Sequence, residues 1–432
     1  MNVMGIVFIL LSLAILMFLC FKGVPIFFSA LIAGIFLTIT AGLNPIEQMT
    51  TTYVAGLAGY VQSFFFIFIL GAIYGKIVDI SGAADSIANG IVNKCGERAI
   101  IPALLLACGV MAYGGISVFV CLFTVYPIMI SMFKKGDISR TLIPVVYLSG
   151  AGTFACMMPG SPQIQNLMPG EILGTPPTAS LVPGLITGFL ELALVFIFIM
   201  WWAKRCKEKG MHFEMTAKDE LVLQAKAGKK VPPFLLSILP LIILLVTLNV
   251  FKLPPEVALL CGCVAGLICF VKYIDWKKIW SNLGDGFKDG TMPLLNTAAI
   301  VGFGGLVKVA PAFQTIIEKV TSMQGNPLIA AAIAVTVMSG VCASGSGGLG
   351  IALPIVKDAF GSVVNLEALH RVSTISCLTL DSLPNNGLLI TTLNVSETTH
   401  KNAYFPVFIT TVIVPFIATA FYIALCAVMG IC

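Results

Sequence analysis

The chain has 432 residues, enough for two or three soluble domains, but 58% are hydrophobic and only 10% charged, and its mean hydropathy is +1.00. Soluble domains run nearer about 45–50% apolar and about 25% charged, so a water-soluble enzyme is excluded, and a net charge of +5 spread over the whole length excludes nucleic-acid binding. The 13 cysteines sit mostly inside apolar runs with no C-x-x-C pair, so they read as small packing residues, not as a disulfide scaffold.

A bilayer core needs about 20 apolar residues per helix. Runs of that kind lie near 3–21, 24–41 and 60–78 in the first part of the chain. The first has no basic flank and no A-x-A cleavage site, so it is expected to be an uncleaved helix. A short amphipathic segment at about 80–97 follows and is expected to lie along the interface. Residues 99–133 are too long for one span and are interrupted by Tyr113-Gly114-Gly115-Ile116-Ser117. Each half is short, so a re-entrant hairpin is the economical reading; two ordinary short helices with a Gly-rich surface turn are the alternative. Irregular backbone at membrane depth survives only when it is buried in protein or lines a wet cavity. The run at 141–158 ends in Pro159-Gly160-Ser161-Pro162-Gln163-Ile164-Gln165-Asn166, where a helix should unwind. The run at 179–203 ends at Trp201-Trp202 and Lys204-Arg205, an interfacial aromatic belt.

Residues 204–231 hold Lys204, Arg205, Lys207, Lys209, Lys218, Lys226, Lys229 and Lys230, with no long apolar run, and form the expected cytoplasmic linker. Beyond it come runs at 233–250, 256–271 and 291–309, an amphipathic segment at 311–325, and a second long stretch at 326–356. That stretch is broken by Ser344-Gly345-Ser346-Gly347-Gly348. Runs at 372–393 and 403–430 complete about ten crossings. Within the penultimate run, Asp381-Ser382-Leu383-Pro384-Asn385-Asn386-Gly387 again marks unwinding.

The halves match in layout. Gly71 and Gly302 are 231 positions apart, as are Arg140 and Arg371, and the tip pairs Gly114-Gly115 and Gly347-Gly348 are 233 apart. The expected fold is therefore an all-α polytopic membrane protein built as an inverted repeat. Each repeat has five transmembrane helices and one re-entrant hairpin, an architecture of secondary transporters. Repeat 1 spans 1–205, with a scaffold at 1–98 and a transport part at 99–205; the linker is 206–231. Repeat 2 spans 232–432, with a scaffold at 232–325 and a transport part at 326–432.

Two hairpin tips and two unwound segments would converge on one site. Unwound backbone leaves N–H and C=O groups free, and amide side chains add donors and acceptors. The candidate substrate-binding residues are Tyr113, Gly114, Gly115 and Ser117 in the first tip, and Gly160, Ser161, Gln163 and Asn166 in the first break. Ser344, Ser346, Gly347 and Gly348 in the second tip, and Ser382, Asn385 and Asn386 in the second break, complete the set. No basic residue lies deep within a span, so an anion would be held by half-helix N-termini and amide or hydroxyl groups. Asp381 is the one acid in an expected break and the candidate for binding a coupling H⁺ or Na⁺; a surface helix cap is the alternative. The histidines His212, His370 and His400 show no metal-site spacing, and His370-Arg371 is expected at the outer start of a helix.

The motifs Tyr113–Val120, Pro159–Asn166, Ser346–Leu353, Leu369-His370-Arg371-Val372 and Leu380–Gly387 resemble the gluconate permease (GntP) family of the ion transporter superfamily. The resemblance spans nearly the whole chain. It implies ion-coupled uptake by an elevator-type, commonly dimeric transporter; family substrates include gluconate, related sugar acids, 3-hydroxybutyrate and D-serine. Gluconate-type members carry an acidic residue after the hairpin tyrosine and a His-Pro pair in the first break. This chain has Gly114 and Ser161-Pro162 there, a pattern closer to the 3-hydroxybutyrate-permease-like branch.

The leading expectation is H⁺ symport of a small hydroxycarboxylate anion by a plasma-membrane homodimer, an inner-membrane one in a bacterium, with no cofactor besides the coupling ion. Na⁺-coupled transport of a dicarboxylate or amino acid is the second reading. An intramembrane enzyme using Ser346 or Asp381 lacks a base or metal constellation, and the absence of a P-loop argues against direct ATP drive. Charge placement puts about 20 of the 25 Lys and Arg residues inside and both termini on the extracytoplasmic side. A phosphatase fused to the C-terminus should therefore be active, and a reporter signal confined to the cytoplasm would overturn that topology.

Overall fold

The computed structural model describes residues 3–95, 99–226, 230–313, 315, 326–384 and 386–431, and all regular structure among them is helical. The first half opens with α1 (Val3–Phe21), α2 (Ile26–Thr40) and the long α3 (Pro45–Ile80), then the amphipathic α4 (Ala83–Cys95). A helical pair follows, α5 (Ile100–Tyr113) and α6 (Val118–Gly136), and then α7 (Leu142–Met157), the short α8 (Ile164–Leu173) and α9 (Leu181–Glu208). The linker carries α10 (Ala217–Lys226).

The second half repeats that order with α11 (Phe234–Asn249), α12 (Pro255–Cys269) and the long α13 (Trp276–Val309). After them come the pair α14 (Pro327–Cys342) and α15 (Gly345–Phe360), the short α16 (Leu366–Ser376) and α17 (Gly387–Val395), and α18 (His400–Val428). Helices α3, α6, α9, α13 and α18 are each long and apolar enough to cross a bilayer unaided, so α6 is not the short half from which a hairpin at 99–133 was expected. The protein is a multi-pass membrane protein.

Three expectations need correction. Gly347 and Gly348 lie inside α15, so the turn that corresponds in order to Gly114-Gly115 is Ala343-Ser344. The 231-residue spacing of Arg140 and Arg371 is likewise a coincidence, because Arg140 precedes α7 whereas Arg371 lies within α16. The second series of elements is slightly shorter, and the offset shrinks along the chain. Arg371 is also not at an outer helix start. It is 0% exposed, as is His370, so a basic residue does lie deep in the protein. The run at 372–393 is two short helices separated by an unwound stretch. The amphipathic segment expected at 311–325 lies almost wholly outside the described residues.

The long helices α3 and α13 pack backbone to backbone, and glycines permit it. A Cβ on Gly290 would sit 2.8 Å from the Phe68 carbonyl oxygen, and one on Gly302 would sit 2.8 Å from that of Tyr53. Where lipid removes the hydrophobic drive between helices, close backbone approach through small residues is the main source of adhesion. α2 lies against α13, and α1 packs on α2 and α14; Leu13, Leu16, Ala33 and Leu37 share one buried cluster with Phe303 and Leu306 of α13.

On the linker side an ion pair fastens three segments. Arg140 Nη1 and Nη2 donate to Asp219 at 2.6 and 2.9 Å, the Tyr126 hydroxyl donates to the same carboxylate at 2.7 Å, and Arg140 Nε donates to the Ser396 carbonyl. Burial alone would raise the Asp219 carboxyl, but bonds from Arg140, the Thr216 backbone and Tyr126 hold it down at about 2. Its contribution to stability is therefore complete above its usual value of 3.8, neutral pH included, and is lost progressively as pH falls from 3.8 through about 2. Arg140→Ala, which strands the carboxylate, should cost about 3 kcal/mol and lower the melting temperature in detergent. Unchanged melting would show that the clamp adds nothing.

Candidate functional site

The two unwound stretches are fastened in the same way. Each short helix begins at an amide residue, Gln163 for α8 and Asn386 for α17. Gln163 Nε2 donates to the carbonyl of Ala112 at 2.6 Å and of Ile116 at 3.3 Å, at the turn between α5 and α6. Asn386 Nδ2 donates to the Ala343 carbonyl at 2.9 Å, at the turn between α14 and α15, and its Oδ1 accepts from Leu389 N. The last carbonyls of a helix have no partner within it. A side chain from the neighbouring break supplies one in both places. Ala343 holds φ 45°, a left-handed conformation unusual for a residue with a Cβ.

These elements enclose a cavity of about 530 Å³ against α3 and α13. Gly115, Ser117, Gln163 and Gln165 line it from the first half, and Ser344, Ser346, Asp381 and Asn386 from the second. α13 contributes Asp289, Asn296 and Thr297, and α3 contributes Phe68 and Gly71. Among the described residues the lining holds two aspartates and no lysine, arginine or histidine. Asp381 accepts a hydrogen bond from the Ser382 hydroxyl at 2.9 Å. Ser344 caps α15 by accepting from Gly347 N at 3.2 Å, and its oxygen lies 3.3 Å from that of Ser346. The Gln165 side-chain oxygen is buried without a hydrogen-bond partner.

Of the residues expected here, seven line the cavity: Gly115, Ser117, Gln163, Ser344, Ser346, Asp381 and Asn386. The others, Asn385 aside, are not among the residues that line it. The Tyr113 hydroxyl donates to the Pro159 carbonyl at 2.9 Å, and the Gly160 carbonyl accepts from Asn249 at 3.0 Å. Gly114 packs against Leu241, Gly347 against Ile300, and Gly348 against the Ser339 backbone. Ser161 and Asn166 are both 0% exposed. Asn166 donates to the carbonyls of Ser161 and Pro177 and faces His370 Nε2 at 3.1 Å through its oxygen, so its amide shapes the break and does not reach the cavity. Ser382 is spent on Asp381, and Asn385 lies outside the described residues.

The sequence reading missed Asp289 and Asn296. They stand seven residues apart, hence on one face of α13, in a stretch that is otherwise largely apolar, and that pairing was the available signal.

The GntP family permease profile matches residues 4–249. An uncharacterised transporter of Bacillus subtilis, YxjC, is 28% identical over 95% of this chain and 96% of its own length. A gluconate permease of Bacillus subtilis is 28% identical over 32% of this chain and 30% of its own. Among solved structures, the YdaH transporter of Alcanivorax borkumensis, described as having an unusual topology, shares the fold with a TM-score of 0.58. It is 12% identical, and the match covers 89% of both chains.

The latch residues generate a test. Gln163→Ala leaves the Ile116 carbonyl unpaired, the Ala112 carbonyl keeping the Gly115 N–H, and Asn386→Ala leaves that of Ala343, each a loss of about 1–3 kcal/mol. Each should lower the melting temperature, and Asn166→Ala should act the same way by freeing His370. Stability equal to wild type in all three would mean the breaks are held by backbone alone.

Proposed function

Because the chain belongs to the GntP family of permeases, we propose that it is a secondary active transporter that imports a small hydroxycarboxylate anion together with H⁺. That it is a transporter and not an enzyme follows from the family; the cargo, the ion and the mechanism are our reading. The cavity lining carries it. Two carboxylates, Asp289 and Asp381, face a space with no basic side chain among the described residues. An anion entering beside ionised aspartates would meet repulsion that only a bound cation removes, so the charge pattern itself favours entry of anion and cation together. Hydroxyls and amides of Ser117, Gln163, Ser344, Ser346 and Asn386 would read the hydroxyl groups of the cargo, with Asp381 binding the coupling ion.

In this reading α5–α6 and α14–α15 are re-entrant hairpins of an inverted repeat, residues 1–98 and 232–325 form a scaffold, and residues 99–205 and 326–432 move as an elevator. The recurring element order and the glycine-tight contact of α3 with α13 support that division. So do bonds that tie the two proposed moving parts together, such as Arg140 to Ser396 and Arg371 to Ala179. A homodimer assembled through the scaffolds, in the plasma membrane with both termini extracytoplasmic, completes the reading. The Gly114 and Ser161-Pro162 positions favour a cargo similar to 3-hydroxybutyrate over gluconate. With Na⁺ bound at Asp381 in place of H⁺, a dicarboxylate or amino acid would be the cargo, which is the second reading.

Thermal shift against 3-hydroxybutyrate, gluconate, dicarboxylates and D-serine should single out the cargo, since a ligand of the folded state raises apparent stability. Uptake into proteoliposomes under an imposed pH or Na⁺ gradient then identifies the ion. Ser346→Ala should weaken binding by about tenfold or more, whereas Asp381→Asn should abolish gradient-driven uptake and spare binding. Wild-type uptake by Asp381→Asn would remove that residue from the coupling, and uptake indifferent to any gradient would leave a passive pore.

A further inference from the structure

Among the described residues one buried carboxylate belongs neither to the cavity nor to any hydrogen-bond network. Glu191 of α9 is 0% exposed, and neither carboxyl oxygen has a hydrogen-bond partner. It stands ten residues from each end of the stretch between Leu181 and Trp201, about 15 Å along the helix from either. That is the midplane of the span that the aromatic belt delimits. The same face of α9 carries Gly184 and Gly188, and both abut the first break: a Cβ on Gly184 would lie 2.7 Å from Pro159, and one on Gly188 would run into the Met158 sulfur. Glu191 is one turn further along that face.

The elements packed on α9 are α5, α7 and α18. Their titratable groups near this level make bonds elsewhere. The Tyr147 hydroxyl of α7 donates to the Val118 carbonyl, and the Cys156 thiol to that of Ala151 at 3.5 Å. The Tyr422 hydroxyl of α18 donates to Ser180 at 2.7 Å. Cys108 of α5 and Cys426 of α18 are buried thiols. The Arg371 guanidinium touches the helix two turns away at Gly184 and is taken up by the carbonyls of Met157, Pro177 and Ala179. Ser149, in the widened π-helical turn of α7 that packs on α9, has a buried hydroxyl without a partner. Among the described residues no cation is at hand to compensate a charge at Glu191.

An isolated carboxylate in such a place costs several kcal/mol, and an unpartnered acid at membrane depth is retained for use more often than for packing. We propose that Glu191 is a proton-binding site of the transport cycle, separate from the cargo cavity. It holds a carboxylic acid in this conformation and releases H⁺ to water when the contact of α9 with the first break opens. The inference rests on the transport reading and deepens it by giving the coupled proton a second place, besides Asp381.

Glu191→Gln mimics the neutral acid and should fold as wild type does. Infrared spectra of the purified full-length protein at neutral pH should contain a carboxylic-acid carbonyl band that Glu191→Gln removes; a band unaffected by the substitution overturns the proposal. In proteoliposomes probed with 3-hydroxybutyrate and with gluconate, the variant should retain equilibrium exchange within about twofold. Accumulation driven by a pH gradient should fall about tenfold or more, and Glu191→Asp should restore part of it. Unimpaired accumulation, or exchange and accumulation lost together, overturns the site. A wild type that moves neither probe counts against the cargo reading instead. Heavy water then decides for Glu191: a band that never shifts marks a proton that never leaves, and such a proton cannot be carried.

Discussion

One face of a short helix holds the two halves of this protein in register. Glu367, His370 and Arg371 occupy positions i, i+3 and i+4 of α16, so they project side by side. All three reach the loop between α8 and α9. Glu367 accepts from Ser180 N at 2.9 Å, His370 Nδ1 lies 2.7 Å from the Thr175 hydroxyl, and Arg371 donates to the carbonyls of Met157, Pro177 and Ala179. A buried guanidinium is costly, and here backbone carbonyls answer it. Those carbonyls are available because the chain has left its helices at 158–163 and 174–180. The unwinding of the first half is thus stabilised by a charge supplied from the second. Through Asn166, which bonds both His370 and the Ser161 carbonyl, the same face positions the break that bears Gln163.

The sequence made the membrane class and most helices legible, because each depends on long apolar runs whose ends are marked by Pro, Gly or charge. The breaks were legible too, since Pro159-Gly160 and Pro384 sit where no helix could continue. Pairings across space were another matter. Arg371 follows a helix-start pattern in sequence, and only the folded chain shows it facing a loop some 190 residues earlier in the sequence. Spacing also misled. A constant offset pairs Gly115 with Gly348, yet the second series of elements is shorter, and Gly348 serves helix contact instead of a turn. Glu191 was passed over because a single acid barely lowers the hydropathy of a 28-residue helix. The cavity residues on α13 escape a reading of the sequence for a related reason: Asp289 and Asn296 lie on regular helix, where no unwound break marks them.

Polar chemistry in this protein is concentrated where backbone hydrogen bonding is incomplete. The π-helical turns at Met49–Tyr53, Leu148–Phe154 and Ile409–Ile413 add to the two breaks, and those of α7 and α18 lie against each other. Widened turns shift the register of carbonyls and are frequent at functional sites. Here Thr410 and Thr411 fill that gap from within α18 by donating to carbonyls one turn back. Many serine and threonine hydroxyls among the described residues bond their own helix in this way, whereas Ser149, Ser339 and Ser373 are buried without a partner.

The cavity is not the property of one half or one layer. Asp381, Asn386 and Ser346 come from the segments bound together by α16, whereas Asp289 and Asn296 ride on α13, which is locked to α3 through glycine. Any sliding of one group past the other splits this lining along a seam. A solute held across that seam would surrender its α13 contacts first and keep the rest, so grip would depend on position along the path. Residues on α13 would then act as a docking station, decisive at one end of the journey and irrelevant at the other.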